Sequence, residues 1–208
     1  MKIALTGGIA CGKSLLSKFL NELGVETLDA DDVVHELIPD PEERRRIAAE
    51  VFADPEKRRA LEAKIHPVVK QRIDEWLRQP WGQTPRFHRR GLTPLVAAPN
   101  FQLSTFNFQL RVAIIPLLFE AHWEKNFDII CCVASSRETQ IERMMTTRGM
   151  TCAEAEARLA AQMPIEEKAR RSHYVIHNDG TAEELKVQAV AFLKFVTQKQ
   201  MQPKLPND

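Results

Sequence analysis

The sequence predicts an α/β protein whose mainly parallel sheet is covered by helices on both faces. Two observations carry this. Short apolar runs of strand character alternate with amphipathic helical stretches along most of the chain. The first such strand and helix also enclose Gly7-Gly-Ile-Ala-Cys-Gly-Lys-Ser14, which matches G-x-x-x-x-G-K-[ST], the phosphate-binding P-loop. That motif needs a strand before it and a helix after it, and the flanking residues supply both.

The elements follow in order. Lys2 to Thr6 reads as a short buried strand, and Leu15, Leu16, Phe19, Leu20 and Leu23 form one face of the helix after the loop. Gly24 stands where a C′ residue ends that helix. Val25 to Leu28 reads as a second strand that runs into Asp29-Ala30-Asp31-Asp32, and a helical stretch continues through Val33, Val34 and Leu37 until Pro39 and Pro41 break it. Residues 42–53 read as a charged helix. From Pro55 to Arg78 the apolar set is Leu61, Ile65, Val68, Val69, Ile73, Trp76 and Leu77. Pro67 biases His66 away from helix and suits a helix start, so two helices with a joint at His66 are expected. Residues 79–110 hold four prolines, Arg86, Arg89 and Arg90, and no sustained period; so long a loop is usually functional or mobile. Arg111 to Ile115, Asp128 to Val133 and Tyr174 to Ile176 read as strands. Thr139 to Thr147 is helical, Thr151 starts a helix, and Thr181 with Glu184 forms a capping box before the last one. The tail from Gln198 is polar and expected to fray.

Composition narrows the function classes. The 208 residues are 44% hydrophobic, enough for a substantial core in one domain. A net charge of +1 gives no electrostatic sign of a nucleic-acid or membrane binder. No run of about 18 apolar residues suggests a membrane span, and the start shows no secretory leader pattern. The four cysteines show no C-x-x-C pair; Cys131 and Cys132 read as core residues, and a reducing cytoplasm fits.

In a P-loop, Gly7, Gly8 and Gly12 let backbone N–H groups point inward at an anion, with the positive end of the new helix facing the same cavity. Lys13 would reach the β- and γ-phosphates of a nucleotide and Ser14 would ligate Mg²⁺. The second strand ends in Asp29-Ala30-Asp31, at the sheet edge where open α/β folds bind ligands. A carboxylate there can orient a hydroxyl, accept its proton or hold a magnesium-bound water; alternatively Asp29 or Asp32 serves as a helix N-cap. Arg143, Arg148, Lys168, Arg170 and Arg171 form a basic cluster that could close over a triphosphate, although for any one of them taken alone a solvated helix face is the better reading. Cys11, at a helix N-terminus beside Lys13, is expected to be a reactive thiolate unless its side chain turns into the core. His173 reads as a surface histidine.

Taken together, the chain resembles the dephospho-CoA kinase family. The matching pieces are Leu5-Thr-Gly-Gly-Ile9 with Gly12-Lys-Ser14; Asp29-Ala-Asp-Asp-Val-Val-His-Glu-Leu37; Val51-Phe-Ala-Asp-Pro55; Leu61-Glu62 with Ile65-His-Pro67; Pro116-Leu-Leu-Phe-Glu120; Arg158-Leu-Ala-Ala-Gln-Met-Pro164 with Glu167-Lys168; and Tyr174-Val-Ile-His-Asn178 with Gly180. The resemblance implies a P-loop kinase-like three-layer sandwich with a five-stranded parallel sheet, a helical acceptor-binding region and a lid. It divides one kinase domain, 1–208, into a core of 1–31, 111–138 and 172–197, acceptor helices over 32–78, an atypical insert over 79–110 and a lid over 139–171. It implies ATP-dependent phosphorylation of the 3′-hydroxyl of dephospho-CoA, with Mg²⁺, in a cytoplasmic monomer or small homo-oligomer. Gly8, Ile9, Ala10, Cys11, Gly12, Lys13, Ser14 and Leu15 would bind ATP. Lys13, Asp31 and Arg143 would be catalytic; Asp31, Arg44, His66, Pro116 and Leu117 would bind the acceptor. His66 could equally hydrogen-bond backbone at its helix joint. Ala10 and Cys11 replace the family's usual Gly and Ser, and Ile114 stands where many relatives carry an acid, so Mg²⁺ would rest on Ser14, the phosphates and water held by Asp31. Two other functions stay open: a nucleotide or nucleoside kinase with another acceptor, and a silent nucleotide-binding module.

Overall fold

A computed structural model describes residues 1–80 and 109–201 of the chain. The stretch 79–110, read as an atypical insert, lies mostly outside the described residues. The chain divides into two compact units, Met1–Thr27 with Arg89–Asp208, and Leu28–His88.

The first unit is built on the sheet. Strand β1 (Ile3–Gly7) is buried at every position and leads through the P-loop into helix α1 (Lys13–Glu22). Strands β2 (Glu26–Asp29), β3 (Arg111–Ile114), β4 (Ile129–Ala134) and β5 (Tyr174–His177) complete a five-stranded sheet in the order β2-β3-β1-β4-β5. β1 pairs in parallel with both β3 and β4, and β4 with β5. A parallel sheet must be covered on both faces, which explains why β3 and β4 read as unbroken apolar runs.

The pleat sorts the side chains. Ile3 and Leu5 of β1, Val112 and Ile114 of β3, and Cys131 and Val133 of β4 share a core with Leu16 and Leu20 of α1 and with Leu185, Ala189, Phe192 and Val196 of the last helix, α8 (Ala182–Met201). The alternate residues of β1, Ala4 and Thr6, turn to the other face. Between β4 and β5 run α5 (Arg137–Arg148), α6 (Cys152–Ala160) and α7 (Ile165–Arg170), and α7 packs against β1 and β4. Thr151 and Glu154 close a capping box on α6, and the box predicted at Thr181 and Glu184 forms as well. Gln198 to Met201, all exposed, continue α8, and the rest of the tail expected to fray lies outside the described residues. Glu26 and the largely buried Arg111 pair at 2.7 Å, joining the starts of β2 and β3.

The second unit is helical: α2 (Ala30–Leu37), α3 (Pro41–Ala53) and α4 (Pro55–Arg78). Acids cap each one. Asp29, Asp40 and Asp54 accept from the amides of Asp31, Glu42, and Glu56 with Lys57. The joint expected at His66 is absent, because α4 is one 24-residue helix with Pro67 inside it. Proline removes one hydrogen bond, the one to the carbonyl of Ala63, and both Ala63 and Pro67 are exposed, so the bond is lost on the solvent side of the helix. Val69, Ile73 and Trp76 of the same helix are buried on a continuous stripe, and that packing holds the helix straight through. Among the described residues, no helix is long and apolar enough to cross a membrane.

Candidate active site

β1 ends at Gly7, where a φ of +148° and the Val133 carbonyl oxygen, which an added Cβ would meet at 2.3 Å, exclude any side chain. Gly12, at φ +91°, occupies the left-handed region, and a Cβ there would meet Asn178 Nδ2 at 2.2 Å. These two positions are therefore glycine for two reasons each, conformation and close approach. Gly12 is also the N-cap of α1, and it brings no side-chain cap, so α1 presents its positive end directly behind the glycine loop. Lys13 Nζ donates to the carbonyls of Gly7 and Gly8 at 3.0 and 2.7 Å, holding its ammonium over the loop. Ser14 and Leu15 are exposed on the first turn of α1.

A polar frame from the β4 and β5 ends braces the loop. Asn178, buried, donates from Nδ2 to the Cys11 carbonyl at 2.9 Å. Ser135 Oγ donates to the Asn178 carbonyl at 2.7 Å and accepts from Arg143 at 3.2 Å. The Arg143 guanidinium also reaches the Ala10 carbonyl at 3.3 Å, which brings α5 onto the loop as well. Gln140 Nε2 donates to the Ser135 carbonyl at 3.0 Å. Beside this frame, burial pushes the Asp179 carboxyl up, but the Ser136 amide, the Thr139 and Ser136 hydroxyls and the Arg143 charge together hold it below the usual aspartate value. Ser135, Gln140 and Asn178 carry this frame and were not singled out by their residue types; Asn178 alone had a sequence signal, as part of Tyr174-Val-Ile-His-Asn178.

Two expectations are corrected here. Cys11 is fully buried in the core with Leu16 and Ile176, and burial raises its thiol despite the opposing charge of Lys13. Desolvation outweighs the helix end and the lysine, so Cys11 is not a reactive thiolate. Lys168 was read as a solvated cation, yet it is 0% exposed. Its Nζ pairs with Glu120 at 2.8 Å and donates to the Pro116 carbonyl at 2.9 Å. Among the rest of the basic cluster, Arg148 is exposed, Arg170 pairs with Glu167, and Arg171 pairs with Glu124 at 2.6 Å while stacking on Phe119. His173 is exposed, and its Nδ1 accepts from the Ile130 amide.

Pro116 and Leu117 follow β3 at the carboxyl edge of the sheet, and Thr6, the residue before Gly7, donates to the Pro116 carbonyl at 3.3 Å. In the helical unit, Asp31 is exposed on the first turn of α2 while Asp29 caps that helix. Arg44 donates to the carbonyls of Ile38 and Pro39 at 2.6 and 2.9 Å, tying the α2–α3 connection to α3. His66 is half-buried within α4.

Comparison with known proteins matches this arrangement. The family model for dephospho-CoA kinase fits residues 1–43 and 91–184, so the match takes in the P-loop, Asp31, Pro116 and Arg143 and passes over Arg44 and His66. The dephospho-CoA kinase of Synechococcus sp. (strain JA-3-3Ab) is 36% identical, covering 89% of this chain and 88% of that protein. That of Geobacter sulfurreducens is also 36% identical, over 88% and 92%. Among solved structures, TT1252 from Thermus thermophilus aligns with a TM-score of 0.68 at 31% identity, covering 94% of this chain and 97% of that one. The dephospho-CoA kinase from Campylobacter jejuni, at 22% identity and a TM-score of 0.62 over 97% and 100%, shares the fold. With an uncapped helix end behind a glycine loop and relatives of this identity over this length, the chain belongs to the dephospho-CoA kinase family.

Proposed function

We propose that this chain transfers the γ-phosphoryl group of ATP to the 3′-hydroxyl of dephospho-CoA. Membership of the family carries the reading, and the N-terminus of α1, which starts from Gly12 at the end of the loop, supports it chemically. Its amides, with those of residues 8–12, offer donors to the β- and γ-phosphates, and Lys13 exchanges its loop carbonyls for phosphate oxygens. Arg143 contributes a second cation against the charge that develops on the transferring group.

On the acceptor side, Asp31 orients the 3′-hydroxyl and takes its proton as the oxygen attacks phosphorus, while ADP leaves in line. Asp29 caps α2 by accepting from the Asp31 amide, and the Asp31 side chain is exposed on the first turn of that helix. Within the sheet unit, Pro116 and Leu117 are the acceptor-binding candidates; within the helical unit, Arg44 and His66 are. Mg²⁺ fits the donor set: the Ser14 hydroxyl is exposed on the first turn of α1, and a hard cation takes oxygen ligands. Bound there with the nucleotide, it would neutralise β- and γ-phosphate charge.

A coupled assay with ATP and dephospho-CoA tests the reading, with AMP, CMP and shikimate as control acceptors. Turnover with dephospho-CoA above all three controls is expected. Turnover with a control instead would reassign the acceptor, and ATP binding with no turnover would make the chain a silent nucleotide module.

A further inference from the structure

The Pro116 carbonyl is a junction of three segments. It accepts from Thr6 Oγ1 at 3.3 Å, at the base of the P-loop, and from Lys168 Nζ at 2.9 Å, on α7. Lys168 is fully buried, and its charge is met by Glu120 Oε1 at 2.8 Å, four residues past Pro116. The same Glu120 oxygen accepts from the Met163 amide at 3.0 Å, in the link between α6 and α7. Glu120 Oε2, by contrast, is buried and has no hydrogen-bond partner among the described residues. An apolar pair of similar volume fills such a space without this penalty, so a buried lysine with a half-satisfied carboxylate is poor design for stability alone. What the pair does uniquely is fix a carbonyl and an amide from two different segments against the strand that enters the P-loop.

We propose that Lys168, held by Glu120, is a positioning residue for the acceptor: it sets the Pro116–Leu117 turn relative to the P-loop and couples that turn to the α6–α7 link. The inference rests on the reading of Pro116 and Leu117 as acceptor-binding residues. Lys168 itself touches neither substrate in this scheme. It acts through the Pro116 carbonyl, so its loss moves the acceptor and leaves the phosphate cradle in place. Sub-ångström to ångström displacements of a reacting group are enough to change rates strongly.

The test compares wild type with Lys168→Met and the double variant Lys168→Met/Glu120→Gln. Lys168→Met strands the Glu120 charge and should lower the melting temperature. The double variant removes both charges and keeps an acceptor for the Met163 amide, so its melting temperature should recover towards wild type. Its KM for dephospho-CoA should nevertheless remain raised by about tenfold or more, with the KM for ATP within about twofold of wild type. Recovery of the acceptor KM together with the melting temperature would make Lys168 a fold residue only and overturn the proposal. So would a double variant that fails to fold, or KM values for ATP and acceptor that rise in parallel. If wild type itself does not turn over dephospho-CoA, the functional reading fails; if wild type does and the double variant matches it, only this inference fails.

Discussion

Helices α1 and α2 begin at the segments assigned to the donor and the acceptor, and they begin in opposite ways. α1 starts from a left-handed glycine with no side-chain cap. α2 starts from Asp29, whose carboxylate takes the Asp31 amide at 2.9 Å. Every helix must satisfy its first N–H groups somehow. α2 does so from its own sequence, and that commits Asp29. α1 starts without a side-chain cap, and a frame of Asn178, Ser135 and Arg143 holds the loop before it in shape. The difference sets a helix start closed by its own acid against one built on a glycine loop that can admit an anion.

The comparison breaks first at Lys13. Lys13→Ala should lower kcat/KM by about 10²- to 10³-fold, the loss of one preorganised charge contact in the transition state. Steady-state kinetics giving activity within about threefold of wild type would mean that the N-terminus of α1 is not the phosphate site.

The two acids of α2 sharpen it next. Asp31→Asn should cut kcat by about 10²-fold with ATP affinity little changed. Asparagine caps helices as well as aspartate does, so Asp29→Asn should leave stability within about 0.5 kcal/mol of wild type and kcat nearly intact. Greater damage to kcat from Asp29→Asn reverses the assignment.

A third expectation concerns the frame. Asn178→Ala leaves the buried Cys11 carbonyl without its donor. Urea unfolding should show a loss of about 1–3 kcal/mol, accompanied by a raised KM for ATP. Unchanged ATP affinity would show that the loop keeps its shape unaided.

A closed helix end supplies the counterpart. Asp54 caps α4 through the amides of Glu56 and Lys57. Asp54→Ala should lower unfolding free energy by about 1 kcal/mol and leave the KM for ATP where it was.

The smallest effect falls on Cys11. Its thiol is buried and raised, while Cys152 is exposed. Iodoacetamide under native conditions should therefore modify Cys152 and leave Cys11 intact by peptide mass spectrometry. Rapid labelling of Cys11, slowed by MgATP, would mean that the loop opens to solvent.

Much of this was legible in the residue order. The P-loop was readable because its backbone demands glycine and its chemistry demands lysine and a hydroxyl at set spacing, so local geometry writes itself into sequence. The strands of the sheet core were readable because a parallel strand buried on both faces leaves an unbroken apolar run, as in Ile129 to Ala134. Caps at Asp29, Thr151 and Thr181 sit next to the amides they satisfy.

What failed to show was set by partners far along the chain. Pro67 reads as a break until the stripe of Val69, Ile73 and Trp76 is packed, and then one lost bond on the solvent side is too weak to end α4. Cys11 reads as activated by its neighbours in sequence, but its burial among core residues decides the sign of its shift. Lys168 sits among charged residues on a short helix and reads as solvated; only the fold brings Glu120 and the Pro116 carbonyl to it. Sequence by itself therefore determined the α/β class, the phosphate loop and the family, because each rests on local conformation or on patterned burial. Tertiary structure alone decided which thiol is silent, which lysine is buried and which side chains brace the loop, because desolvation and long-range pairing exist only once the chain has closed on itself.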